Sequence, residues 1–437
     1  MFRKNFIFLF ILIVMALPTA IWAAEDSQPQ SQPEVLTLEQ CLDLAYQNSP
    51  SLKAADKNVE IAQLQVRQAL GGFLPTVNYS ITETKSNDPL ALTSYMSKEY
   101  STGTLSVTEK LYTGGLSSAK YKITKYSLNT ALEEQRKAKQ QLIYNVKQAY
   151  FQFWLAQQMF EVTKSSYRNA ERRYQQQKAF YEVGNASKVE LLQAQVQWES
   201  LKPQIINSQN AVDATKLNLA ILLGIEKDRP YTISVDPSKL QLPEKVDLSF
   251  ETVLENAYNN RPDTRQMNNS IEISKLNTKM VSAGYKPMIS LSASSQGSYI
   301  DLNPSHWKGS WFTLSLNLSG VLFDGLVTQA KIAEAKKNEE LIAIKDSSLK
   351  DMVRVEIELA IQSINANLAS AKASQATINL ARESLRLIQA KYDAGMATTM
   401  DITDAQLKLD QALNGYYSGL SSYFTALAKL DLVAGKD

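Results

Sequence analysis

Apolar and polar positions alternate in two pairs of short runs. Val77, Tyr79 and Ile81 stand between Asn78, Ser80 and Thr82, and Leu105 and Val107 between Thr104, Ser106 and Thr108. Ile289, Leu291 and Ala293 alternate with Ser290, Ser292 and Ser294, and Phe312, Leu314, Leu316 and Leu318 with Thr313, Ser315, Asn317 and Ser319. A period of two is the mark of a strand with one apolar and one polar face. Four strands are therefore expected, in β-hairpins over about 75–112 and 287–323. A small sandwich with one wet face would satisfy the pattern, and so would a wall between lipid and a water-filled lumen.

Beyond each hairpin the period changes to seven. Val146, Phe153, Phe160, Tyr167, Tyr174 and Tyr181 recur every seventh position, with Ala149, Ala156, Thr163 and Ala170 three residues on. This large/small seam is that of coiled-coil packing. The uninterrupted tract Ser118 to Val183 predicts a helix of roughly 66 residues, about 99 Å at ~1.5 Å per residue, far longer than a globular core needs. Gly184 breaks it, and a returning helix packs back along it.

The whole arrangement occurs twice. Leu36 to Pro50 (LTLEQCLDLAYQNSP) reappears as Leu248 to Pro262 (LSFETVLENAYNNRP), an offset of 212. The seam returns at Ile357, Ile364, Ala371, Ile378, Leu385 and Tyr392, and Leu111-Tyr112-Thr113-Gly114 returns as Leu322-Phe323-Asp324-Gly325, both at an offset of 211. Tyr181, Gly184, Ser187, Glu190, Leu191, Ala194 and Gln195 map at 211 onto Tyr392, Gly395, Thr398, Asp401, Ile402, Ala405 and Gln406. The chain thus divides into a first repeat, 24–225, a Pro-bearing linker, 226–247, and a second repeat, 248–437, with hairpin tips at Gly184 and Gly395. Each repeat orders a helix interrupted by Pro50 or Pro262, a strand pair, a very long helix, a Gly turn and a returning helix.

Four strands cannot close a membrane barrel, since such barrels begin at about eight strands and open edges are not tolerated in lipid. If the strands meet a bilayer, the chain must oligomerise.

The first 23 residues carry Arg3 and Lys4, an acid-free apolar run from Phe6 to Ala16, and small residues around Ala23, the pattern of a secretory signal peptide. No later stretch approaches the ~18 apolar residues of a spanning helix. The chain has 46 Lys and Arg against 44 Asp and Glu; loss of Arg3 and Lys4 leaves the two balanced, which argues against nucleic acid as a ligand. One Cys, Cys41, cannot form an internal disulfide. One His, His306, with that lone Cys excludes the usual zinc and Cys/His nucleophile sites. No P-loop, dinucleotide glycine motif or nucleophile elbow is present, so no enzyme, metal or cofactor is expected.

The duplicated tip motif Y-x-x-G-x-x-[ST]-x-x-[DE]-[LI]-x-x-A-Q, with the Leu-Tyr-Thr-Gly and Leu-Phe-Asp-Gly strand exits, resembles the TolC family of outer membrane channels across the mature chain. The resemblance implies an α+β membrane protein. In it, duplicated helical hairpins form a periplasmic α-barrel and a homotrimer contributes four strands per chain to one 12-stranded barrel. It also implies a passive duct of a tripartite efflux pump or type I secretion system. The implied partners are a periplasmic adaptor (membrane fusion) protein contacting the tips, an inner membrane transporter, and outer membrane lipid. The rival reading of the same helices is a soluble periplasmic coiled-coil adaptor or scaffold, which leaves the four alternating strands without a use.

Ser187-x-x-Glu190 and Thr398-x-x-Asp401 fit capping boxes at the starts of the returning helices. Asp404, one turn beyond Asp401 and replaced by Gln193 in the first repeat, has no such local reason. By resemblance, Asp401 and Asp404 match a ring of carboxylates at the periplasmic mouth, which would select cations; the bland reading is two solvated surface acids. Tyr392 and Glu190 match, by resemblance, a latch that keeps the mouth closed, although Tyr392 is equally a seam aromatic. A basic latch residue of the family is replaced here by Ala397. Trp307, Trp311, Tyr299 and Tyr100 suit either an interfacial aromatic belt or loop packing.

Overall fold

The structure is a computed structural model that describes residues 34–85, 99–225, 230–235, 241–244, 249–301 and 306–436. The expected signal peptide, most of the linker, and both hairpin loops fall outside the described residues.

Each repeat opens with two short helices bent at a proline. Helix α1 (Leu38–Asn48) starts in a capping box, the Gln40 amide donating to Thr37 Oγ1 at 3.3 Å and the Thr37 amide to Gln40 Oε1 at 2.8 Å. It stops before Pro50, the first residue of α2 (Pro50–Gly71), because proline has no amide hydrogen and disfavours helix in the residue before it. In the second repeat α5 (Phe250–Asn260) and α6 (Pro262–Ser282) bend in the same way.

The long helices are α3 (Leu116–Glu182) and α7 (Val327–Asp393), 67 residues each and about 100 Å long. Helix α3 begins two residues before Ser118 because Gly115, at φ 96°, turns the chain straight into it. The returning helices α4 (Lys188–Leu223) and α8 (Thr399–Val433) have 36 and 35 residues. They cover the tip-side half of the long helices, while α2 and α6 pack against the sheet-side half.

The two coverings meet at a mid-length belt, and the core sits there. Phe153, 1% exposed, Val146 and Trp154 of α3 bury against Leu219 and Leu223 of α4 and Cys41 and Ala45 of α1. A three-residue parallel ladder of β1 (Glu34–Leu36) with β4 (Tyr231–Ile233) closes this cluster. Val353, Ile357 and Ile364 of α7 form the second cluster with Leu254 of α5 and Tyr423 and Leu430 of α8. Burial fades toward the tips: Val146 and Phe153 are buried, Phe160, Tyr167 and Tyr174 half-buried, and Tyr181 exposed. Cys41 is a free thiol, pushed up to about 12 by burial.

Strands β2 (Thr76–Lys85), β3 (Glu99–Tyr112), β5 (Met288–Asp301) and β6 (His306–Ser319) form one antiparallel sheet in the order β2-β3-β5-β6. The hairpin registers repeat: Thr76 faces Thr108, and their counterparts Met288 and Ser319 face each other. The copies join through β3 and β5, with Thr108 opposite Ser292. His306 is the first residue of β6.

Register sorts the side chains. Rows such as Tyr79–Leu105–Ser295–Phe312 and Val77–Val107–Ala293–Leu314 lie on one face, and Asn78–Ser106–Ser294–Thr313 on the other. The apolar face is bare, with Tyr79 81% and Leu318 71% exposed. On the inner strand β3, Thr104, Ser106 and Thr108 are half-buried while Leu105 and Val107 are exposed. Trp311 shares a row with Gln296, Thr104 and Ser80, on the polar face, and so departs from a lipid-side aromatic belt. Tyr299 is on the apolar face beneath Lys308, whose Nζ lies 5.6 Å from the ring centroid. The side chains of Tyr100 and Trp307 fall outside the described residues.

Candidate functional site

Both hairpin tips are built by glycine and a hydroxyl cap. Helix α3 ends at Gly184, φ 80°, where the Asn185 amide donates to Phe180 O at 2.7 Å; α7 ends at Gly395, φ 73°, where the Met396 amide donates to Lys391 O at 2.8 Å. These bonds satisfy carbonyls that a helix end leaves open, and the left-handed turn needs glycine. Three residues after each glycine, Ser187 and Thr398 start the return.

At the first tip the Glu190 amide donates to Ser187 Oγ at 3.2 Å, and the Ser187 amide to Glu190 Oε2 at 2.7 Å. At the second, the Asp401 amide donates to Thr398 Oγ1 at 3.3 Å, and the Thr398 amide and hydroxyl to Asp401 Oδ2 at 2.7 and 2.8 Å. The Ser187 and Thr398 amides, then their hydroxyls, hold the Glu190 and Asp401 carboxyls below the usual carboxylate range. Capping therefore engages both acids of the tip motif.

Asp404 is exposed, one turn along from Asp401, and makes no hydrogen bond or ion pair among the described residues. Around it the tips are apolar: Val183, Val189, Met396 and Met400 all stand exposed. Among the described residues no group of three His, Cys, Asp or Glu could hold a metal ion.

Tyr392 and Glu190 are not bonded to each other in the single chain. The Tyr392 hydroxyl instead accepts from Gln177 Nε2 of α3, which ties the second hairpin to the first. One to three turns further from the tip lies a network that sequence reasoning missed. Ser166 Oγ of α3 donates to Asp410 Oδ2 of α8 at 2.5 Å, Gln406 Nε2 donates to Asp410 Oδ1 at 2.8 Å, and Asn169 Nδ2 donates to Gln406 Oε1 at 3.4 Å. Burial pushes the Asp410 carboxyl up, opposed by these bonds and by the Arg173 charge. Burial also pulls Arg173 down, with Asp410 and Tyr392 opposing. The signal available in sequence was a polar pair, Gln406 and Asp410, interrupting the buried stripe Ile402, Ala405, Leu409 and Ala412.

Geometry of this kind, a two-faced sheet rooted on helices about 100 Å long, matches known proteins. A family model described as outer membrane efflux protein matches residues 41–225 and 253–436. The chain is 23% identical over 325 residues to Outer membrane protein TolC of Vibrio cholerae, covering 71% of this chain and 72% of the relative. It is 23% identical over 406 residues to Alkaline protease secretion protein AprF of Pseudomonas aeruginosa, covering 90% and 83%. Its fold superposes on the crystal structure of the Campylobacter jejuni CmeC outer membrane channel with a TM-score of 0.78, at 19% identity, over 96% of this chain and 93% of that one.

Proposed function

Since the chain belongs to the outer membrane efflux protein family, we propose that it is one of three subunits of a passive export duct of a tripartite efflux pump or type I secretion system. Residues 1–23 direct it across the inner membrane. Twelve strands, four from each copy, close one barrel in the outer membrane, and the helices form one tunnel through the periplasm. The observation that carries this reading is the sheet: a bare apolar face, a hydroxyl-lined face opposite it, and two edges, β2 and β6, unpaired among the described residues. Lipid satisfies the first, water the second, and neighbouring copies the third. A soluble periplasmic scaffold would have no use for such a sheet.

Among the described residues no helix is long and apolar enough to cross a membrane; in this reading the strands do the spanning. Substrate passes without chemistry, and energy comes from an inner membrane transporter joined through a periplasmic adaptor that grips the tips at Gly184 and Gly395. Asp401 and Asp404 of three copies ring the mouth with six carboxylates. Tyr392 and Glu190 latch it: a hydroxyl that accepts from Gln177 keeps its own hydrogen to donate, and Glu190 has Oε1 beyond the Oε2 used by its cap.

Single-channel conductance in a planar bilayer tests the reading. A small cation-selective conductance is expected, blocked by a trivalent cation on the tip side. Asp404→Ala weakens that block by about tenfold, equivalent to ~1.4 kcal/mol. Equal block in both would remove the ring; failure of the wild type to conduct would remove the duct.

A further inference from the structure

The polar face of the sheet is built largely of hydroxyls and amides, and its one aromatic exception is informative. Described positions on it are mostly Ser, Thr, Asn and Gln, with Lys110 and Met288 at the helix end, and Trp311 is the one aromatic among its described side chains. Trp311 is 44% exposed. Its row mates are Ser80, Thr104 and Gln296, and the adjoining row toward the loops places Ser298 opposite Gly309. Nothing there is large enough to pack an indole, and Trp311 makes no ring or cation contact among the described residues. No charged side chain shares its row or the rows beside it on that face.

A tryptophan is ordinarily explained by core packing or by an interfacial belt. The first finds no bulky partner among the described side chains of its own row and the rows beside it, and the second fails because the residue is on the face opposite the exposed apolar side chains. What remains is contact with whatever faces the polar side. An indole face attracts cations by its quadrupole and stacks on planar rings, and hydroxyl neighbours offer no fixed charge to compete.

We infer that Trp311 forms an aromatic station on the lumenal wall, three per trimer, at which aromatic cations in transit stack. The inference rests on the duct reading proposed above. It gives the exit barrel a weak preference for one chemical class within an otherwise unselective polar lumen.

The test is block of single-channel current by N-methylquinolinium, with tetramethylammonium as a cation of equal charge that lacks a ring. For wild type the aromatic cation blocks at lower concentration than tetramethylammonium. In Trp311→Ala its blocking constant rises about three- to fivefold, the range of an exposed cation–π contact, while Trp311→Phe keeps most of the effect and tetramethylammonium, which meets the indole through its charge but has no ring to stack, shifts less. Unchanged block in a conducting Trp311→Ala channel would overturn the station and leave the duct standing; a wild type that forms no channel would overturn both. A second readout needs no current. Trp311→Cys reacts with a membrane-impermeant thiosulfonate and Leu314→Cys does not; the opposite result would put Trp311 in lipid and sink the inference.

Discussion

At the scale of single residues, two kinds of glycine do different work. Gly395 turns the second tip at φ 73° with open space where a Cβ would stand, so Gly395→Ala loses only the left-handed term, ~1–2 kcal/mol. Gly435, at φ 71°, lies against the backbone of Arg261, whose N would be 2.8 Å from an added Cβ. It ends α8 in a clasp: Arg261 Nη1 donates to Val433 O at 3.2 Å and to Glu356 Oε2 at 2.7 Å, and Arg136 Nη2 donates to Gly435 O at 2.9 Å. Gly435→Ala is therefore expected to lower the thermal midpoint in detergent well beyond Gly395→Ala; equal losses would deny the close approach. Phe153→Ala, which empties the belt, costs about 3–5 kcal/mol by the same measurement. Both tip glycines were legible in the sequence, because a helix stop is a local matter. The clasp was not, since it joins residues as far apart as Arg136 and Gly435.

Elements show the same division. Alternation and heptads revealed strands and long helices because a face is decided by neighbours two or seven positions away. The pairing of β3 with β5 and the contact of Ser166 with Asp410 join distant segments, so no local period announces them. That polar contact makes the packing of α3 on α8 depend on pH. Burial raises the Asp410 carboxyl above its ordinary range, so the native chain holds that proton to a higher pH than the unfolded one. Stability from this site is full below the ordinary carboxylate range and is lost as pH rises through the raised value. The groups facing it are Ser166, Asn169 and Arg173 of α3 and Gln406 of α8, with Tyr392 of α7 acting on Arg173. Asp410→Asn should remove that part of the decline in thermal midpoint as pH rises above the ordinary carboxylate range; identical slopes in variant and wild type would refute the assignment.

For the whole molecule the internal repeat specifies more than a fold. The junction of β3 with β5 is a copy-one to copy-two contact, and the same junction continued between chains would set β6 against β2 of the next copy. Thr108 faces Ser292 within the chain, so the counterparts, Ser319 and Ser80 of a neighbouring copy, should face one another. Opposed positions bring Cβ atoms to about 4.5–5.5 Å, within reach of a short thiol cross-linker. Cys41, buried and pushed up to about 12, does not compete. The most direct measurement is therefore cross-linking of Ser80→Cys/Ser319→Cys in intact outer membranes, with Thr82→Cys/Ser319→Cys as the slipped control. The account predicts a covalent trimer from the first pair and little from the second; monomer alone from the first, or equal trimer from both, would contradict closure of the barrel in this register.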